Sequence, residues 1–361
     1  MSGDLIHNLF ADRTAIMLAP MARTTDSAFR RLCRRHGCDL VFTEMATAEG
    51  ILEDSSTMYR LVTFHPDERP VAIQLTGSSA TATAHAAARL VRSHRPTVID
   101  INAGCPVPNI CSRGCGAALL SNPLKLSETI SMVVKAAGNT PVSIKIRATG
   151  QGAAVQPAQI GRIAEESGAR FITVHARTRT DSYSTCANWD YIAAVKQAVS
   201  IPVVGNGDIF CAEDALKMKQ RTNVDGIMIA RGALGRPWLF NQCRAVLNGQ
   251  PIPSAPTQQD LLDMICEYVR EAFVWLGEVP ALTFVRKHVC WFTHNLDGSA
   301  RLRNAIFTAR EPQRIGDILM EYAHNLSEGK FADEPPHKDI ADIFRTKISF
   351  WRELDRDLIR G

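Results

Sequence analysis

VIDINAGCP, Val98–Pro106, is the stretch whose reading decides the fold. It is an apolar, β-branched run that gives way at Asn102-Ala103-Gly104-Cys105-Pro106, where a strand ends and a loop begins. It is the fourth of eight such runs: Ala15–Met21, Leu40–Met45, Val71–Gly77, Val98–Gly104, Val142–Ala148, Phe171–Arg177, Ile201–Asp208 and Gly226–Gly232. Near-continuous apolar stretches of this length suit parallel strands buried on both faces. Helical periodicity fills the gaps at Asp26–His36, Ser79–Arg92, Pro123–Ala137, Gln156–Ser167, Trp189–Val199 and Ala212–Gln220. Eightfold alternation of strand and helix predicts an α/β fold, a (β/α)8 TIM barrel. A doubly wound open sheet is the alternative, but it has fewer strands and a Gly-rich first turn, and the first turn here is Ala19-Pro20-Met21-Ala22.

The pattern changes near Asn248, where a Pro-rich connector runs to Pro256. Helical stretches follow at Thr257–Leu276, Pro280–His294, Ser299–Ala309 and Ile315–Leu326. The expected organisation is a barrel over 1–248, a smaller all-helical domain over 257–330, and a charged extension over 331–361 with a helix at Asp339–Arg360. A chain of 361 residues has room for a barrel of about 250 and one further domain. Its 45% hydrophobic and 22% charged content is that of a soluble globular protein, and a net charge of +4 permits an anionic partner without demanding one. No apolar run reaches the ~18 residues of a membrane span, and Met1–Arg13 lacks the pattern of a secretory signal. The ten cysteines are scattered, as in a cytoplasmic protein with reduced thiols.

In such a barrel the chemistry sits at the C-terminal ends of the strands. Those ends here supply Pro20-Met21, Glu44-Met45, Gln74, Asn102 with Cys105, Lys145 with Arg147, His175 with Arg177, Gly205-Asn206-Gly207-Asp208 and Ala230-Arg231-Gly232. The Gly-containing ends of strands seven and eight occupy the usual phosphate position, though tight turns would look the same. Lys145 among apolar neighbours calls for an anion, an electron-rich ring, or an ion pair such as one with Glu44. His175 suits a ligand or a backbone carbonyl. Cys105 is either a nucleophile or proton donor on a tight loop, or a buried structural thiol. With Cys111 and Cys115 it makes C-x5-C-x3-C, which matches no familiar zinc pattern and has no evident fourth ligand, so no metal is expected.

Taken together, the segments LAPMARTTDSAFR, PVAIQLTG, DINAGCP, GAALL, SIKIRATG, TVHARTR with Tyr183 beyond it, IPVVGNGDI and DGIMIARGALGRPW are specific, although each alone is weak. Over about Ala15–Ala309 the chain resembles the tRNA-dihydrouridine synthases, and VRKHVCWF with GSARLRNAI resembles their RNA-binding helical region.

The resemblance implies FMN across the barrel mouth. Pro20, Met21, Gln74 and Lys145 would lie at the flavin ring, His175 between ring and tail, and Asn206, Gly207, Asp208, Arg231 and Gly232 at the phosphate. It places Asn102, Arg147 and Tyr183 against the uracil and makes Cys105 the acid that protonates carbon 5. NADPH, or NADH, would reduce the flavin. Arg286, Lys287, His288, Arg301, Arg303 and Arg310 would meet tRNA phosphates, or else form a solvated helix face. A monomer is expected, since a long RNA must reach the mouth. The chain departs from the family pattern with Val107-Pro108-Asn109 where a Lys is usual, leaving Arg113 as the nearby cation, and with Ala176 and Ala230 in place of Gly. The alternatives are a flavin-dependent reductase of a small pyrimidine or enone, action on ribosomal RNA, and a non-catalytic RNA-binding protein.

Overall fold

Nine parallel strands form one sheet: β1 Ala15–Leu18, β2 Leu40–Phe42, β3 Ala46–Thr47, β4 Val71–Thr76, β5 Val98–Ala103, β6 Val142–Arg147, β7 Phe171–His175, β8 Val203–Asn206 and β9 Gly226–Ile229. The structure is a computed structural model, and it describes residues 2–150, 153–309 and 311–331. β1 pairs with both β2 and β9, and β2 pairs with β4, so the sheet closes on itself. β3 continues the second stave against β4, giving an eight-stave (β/α)8 barrel.

The second stave is broken because Thr43 and Glu44 are used otherwise. The Thr43 hydroxyl accepts the Gln74 N–H at 3.2 Å, and the buried Glu44 carboxylate accepts the Arg23 N–H. Helices absent from the periodic reading are Ser2–Phe10, Ala48–Leu52, Ser56–Val62, Pro108–Cys111 and Leu239–Leu247. In the first of these, Ile6 and Leu9 are buried against Met17, Leu40, Val98 and Phe171, and Phe10 packs its ring 5.5 Å from that of Phe171. This apolar plug fills the end of the barrel where the strands begin. The opposite end is left for polar side chains.

Strand register fixes which side chains face inward together. One row runs Arg147, His175, Asn206, Met228, Met17, Leu40 across β6, β7, β8, β9, β1 and β2. It starts at the mouth and ends at the apolar floor, the stagger that barrel closure requires. A second row carries Asn102, Lys145, Thr173 and Val204, and a third Gln74, Asp100 and Ser143.

Beyond the barrel, Gln258–Leu276, Glu278–Phe292, Ser299–Thr308 and Pro312–Ser327 form a helical region. Its seam with the barrel is buried and polar. Tyr268 donates to Asp26 Oδ2 at 3.0 Å, Asp26 caps the helix Ser27–Arg35, and His288 Nε2 lies 2.8 Å from the Thr24 carbonyl. His288 is therefore an interior residue and not a phosphate contact, which corrects the expectation from sequence; it lies on the same helix face as Val285, Val289 and Phe292. Arg310 and the expected helix Asp339–Arg360 lie outside the described residues. Among the described residues no helix is long and apolar enough to cross a membrane.

Candidate active site at the barrel mouth

A chain of side-chain hydrogen bonds crosses the barrel below the mouth. Ser143 donates to Asp100 at 2.6 Å, Gln74 Nε2 donates to the other Asp100 oxygen at 2.7 Å, and Asn102 Nδ2 donates to Gln74 Oε1 at 2.8 Å. Burial lifts the Asp100 carboxyl to about 6. Asn102 Oδ1 then accepts the N–H groups of Gly104 and Cys105 at 3.1 and 3.0 Å. This is the Asx turn expected of an Asn ahead of a Gly-containing loop, and it ties that loop to the barrel interior.

Cys105 is half-buried on this loop. Its carbonyl accepts the Ala117 N–H at 2.9 Å and the Cys111 thiol at 3.4 Å. Gly116, at φ +56°, packs beneath it; a Cβ there would sit 2.6 Å from the Cys105 carbonyl oxygen. Burial pushes the Cys105 thiol up, so it keeps its proton at neutral pH. All ten cysteines are free thiols. Arg147 Nε donates to the Gly104 carbonyl at 2.8 Å and its Nη1 to the Thr178 carbonyl at 3.1 Å, so one guanidinium holds two mouth loops.

Across the mouth Asp208 gathers two arginines. Arg177 Nη2 donates to it at 2.6 and 2.8 Å, Arg231 Nη2 at 3.1 Å, and the Ala187 N–H at 2.7 Å. Arg231 lies over two rings, 4.5 Å from the Tyr183 centroid and 5.1 Å from that of Phe210. Burial, then the charge of Arg177, lowers Arg231 to about 10. Lys145 is reachable from the mouth, yet its surroundings lower it to about 8, mainly by desolvation; its ammonium donates to Asn206 Oδ1 at 3.1 Å. It does not pair with Glu44. His175 is buried, and desolvation followed by the charges of Lys145, Arg147, Arg177 and Arg231 holds its ring neutral.

Four cations thus converge on one mouth against Asp208 and the deeper Asp100. Among the described residues, a buried Arg177 Nη1 and a buried Thr173 hydroxyl have no hydrogen-bond partner. Surplus positive charge and orphaned donors are what an anionic, hydrogen-bonding ligand would satisfy. A flavin mononucleotide, with a phosphate at one end and a polar heterocycle at the other, fits this donor set.

The family profile for dihydrouridine synthase (Dus) matches residues 17–328. The chain belongs to the dihydrouridine synthase family. A probable tRNA-dihydrouridine synthase of Mycobacterium tuberculosis is 38% identical over 315 residues, covering 84% of this chain and 81% of that one. A tRNA-dihydrouridine synthase B of Pseudomonas aeruginosa is 37% identical over 289 residues, covering 80% and 86%. The solved structure of 6-hydroxypseudooxynicotine amine oxidase from Pseudomonas geniculata shares the fold, with TM-score 0.50 and 15% identity over 68% of this chain and 50% of that one.

Within this dihydrouridine synthase family member, the mouth brings Gln74, Asn102, Cys105, Lys145, Arg147, His175, Asn206, Asp208 and Arg231 together. Several have duties that the sequence did not suggest. Gln74 and Asn102 are spent largely on each other and on the Cys105 loop. The Met21 N–H is taken by Thr25 Oγ1 at 3.1 Å, in the turn after Pro20. Asp208 is a carboxylate that orients arginines. The two glycines answer to packing: a Cβ on Gly207 would meet Ala187 at 2.8 Å, and one on Gly232 the Ile209 carbonyl oxygen at 2.1 Å.

Outside the mouth, Arg113 is exposed and acts electrostatically on Glu49 and Cys115. Arg286 turns back to the Ala309 carbonyl inside the helical region, whereas Lys287 reaches the Arg23 carbonyl, at 3.5 Å, beside the first barrel loop. The sequence places Arg177 at a strand end and gives it no role. Nothing local distinguishes it, because its partners Asp208 and Thr185 are met only in the folded barrel.

Proposed function

We propose that this chain reduces a uridine of tRNA to 5,6-dihydrouridine, with FMN bound at the barrel mouth and Cys105 as the proton donor. The observation that carries the reading is the half-buried Cys105 thiol on a loop held by Asn102 and Arg147, beside a cationic mouth.

Arg231, Arg177 and Asn206 would hold the cofactor's phosphate end, and Lys145 and His175 its polar ring system. When bound, FMN reduced by NADPH or NADH supplies the hydride that carbon 6 of the uracil accepts. Charge then builds on the uracil carbonyl, where the fixed guanidinium of Arg147 favours it. Cys105 gives its proton to carbon 5, and the thiolate left behind lies within the fields of Arg147 and Lys145. Solvent returns the proton. The balance is uridine, reduced nicotinamide and one proton giving dihydrouridine and oxidised nicotinamide. A base inside a folded RNA must leave its stack to reach this mouth, so the helical region would grip distorted RNA. A monomer leaves the mouth open to it, and the cytoplasm supplies both RNA and reduced nicotinamide.

The test is to incubate the protein with FMN and NADPH and either tRNA transcript or free uridine, and to measure dihydrouridine. Product from tRNA at rates far above free uridine is expected. Equal rates would remove the RNA assignment. Protein that stays colourless and takes up no FMN would remove the flavoenzyme.

A further inference from the structure

Arg177 is 2% exposed, and it spends its guanidinium on two structures at once. One part holds both Asp208 oxygens, and Asp208 also orients Arg231. The rest holds the loop beyond β7: Nε donates to the Thr185 carbonyl at 2.7 Å, and Nη2 lies 3.4 Å from the Tyr183 carbonyl. Asp208 reinforces the same loop through the Ala187 N–H at 2.7 Å. The loop in turn lays the Tyr183 ring over Arg231 at 4.5 Å. At its near end the Thr178 carbonyl is held by Arg147, which also holds Gly104 next to Cys105.

We infer that Arg177 is a positioning residue that couples the anion grip at Asp208 and Arg231 to the loop 178–188, and that Tyr183 belongs to this grip as the outer face of the clamp on Arg231. The inference rests on the flavin reading above. A guanidinium held over two rings and by a carboxylate has its orientation restricted, so these contacts set the direction in which Arg231 presents its donors. An anion bound by Arg231 therefore favours the state in which Tyr183 is in place and the loop is fastened. By linkage, a fastened loop raises the affinity for the anion. Arg147 carries the same constraint on to the loop of Cys105. The phosphate end of the cofactor would thereby order the wall of the reacting site.

The experiment is tryptic cleavage after Arg179, which is exposed on this loop. It is followed by mass spectrometry on apoprotein, apoprotein with FMN, and apoprotein with riboflavin, which lacks the phosphate. Flavin occupancy is read separately by fluorescence. FMN should slow the cut about tenfold or more, and riboflavin at equal occupancy less than about twofold. At FMN occupancy matched to wild type, Arg177→Gln should gain no protection. Because Arg177 is buried, Tyr183→Ala and Tyr183→Phe provide a second arm on an exposed side chain. The Ala variant should weaken FMN binding by about 3- to 30-fold, and the Phe variant less, since it keeps the ring over Arg231 and loses only the hydroxyl that meets Arg147. Equal protection by the two flavins, or wild-type FMN affinity in Tyr183→Ala, would overturn the coupling and leave the flavin reading intact. Failure of either flavin to bind wild-type protein would overturn both.

Discussion

Asn102 Oδ1 accepts the backbone N–H of Cys105 at 3.0 Å. That bond fixes where the thiol stands, and the desolvation around it keeps the thiol protonated. Removing the thiol alone should therefore leave the pocket built. Cys105→Ala is expected to bind FMN and to let NADPH reduce it at wild-type rates. Dihydrouridine formation should fall by about 10²-fold or more, the usual worth of a positioned acid. Stopped-flow flavin reduction paired with a product assay separates the two halves. Wild-type turnover in this variant would take Cys105 out of the mechanism.

Asn102→Ala tests the loop rather than the acid. It removes the acceptor of two N–H groups and the partner of Gln74 Oε1. A cost of about 1–3 kcal/mol in unfolding free energy is expected from the groups left unmatched. The turnover number should drop at least about tenfold as the thiol loses its fixed position, with a smaller change in FMN affinity. Chemical denaturation and steady-state kinetics on the same preparation would read both. A variant that is stable and fully active would show the Asx turn to be dispensable.

Much of this site was legible in the chain because barrel chemistry collects at strand ends, and Cys105, Lys145, His175 and Arg231 all stand there. What the reading missed depends on contacts between distant segments. Asp208 serves Arg177 from 31 residues away, so neither role shows in local sequence. The glycines at 207 and 232 signal close approach, and the neighbours a Cβ there would meet include Ala187 and the Ile209 carbonyl oxygen, contacts between segments that local sequence does not show. Two signals were present and unused. Asn102 two and three residues before Gly104 and Cys105 is an Asx-turn spacing, and His288 shares its helical face with Val285, Val289 and Phe292, which places it inward.

Lys145 should show a trade between stability and binding. Its ammonium titrates at about 8 in the fold against 10.5 when exposed, so between those values the unfolded chain holds more protons and stability from this group rises with pH. Below about 8 its buried charge weighs against the fold. In the apoprotein, the melting temperature of wild type relative to Lys145→Met should therefore rise as pH goes from 7 to 10. FMN affinity should move oppositely, falling as pH passes about 8 and the cation is lost, and being weak at every pH in the variant. Calorimetry and fluorescence titration across that range are the measurements. A pH-independent difference in melting temperature between the two proteins would contradict the buried-ammonium assignment.

Arg286 and Lys287 are adjacent in sequence but should fail differently. Arg286 is half-buried, holds the Ala309 carbonyl, and has an Nε with no partner among the described residues. Lys287 leans toward the Arg23 carbonyl on the mouth side of the seam. Arg286→Ala should lower the melting temperature by about 1–2 °C, the equivalent of roughly 1 kcal/mol in a chain of this size. Its tRNA affinity, measured well below the transition, should stay within about twofold of wild type. Lys287→Ala should leave the melting temperature almost unchanged and weaken tRNA binding. The slope of log affinity against log salt should shrink by about 0.7–0.9, the release expected when one phosphate contact is lost. Filter binding between 50 and 200 mM salt measures that slope. An unchanged slope in Lys287→Ala, or a reduced one in Arg286→Ala, would reverse the division of labour between the two residues.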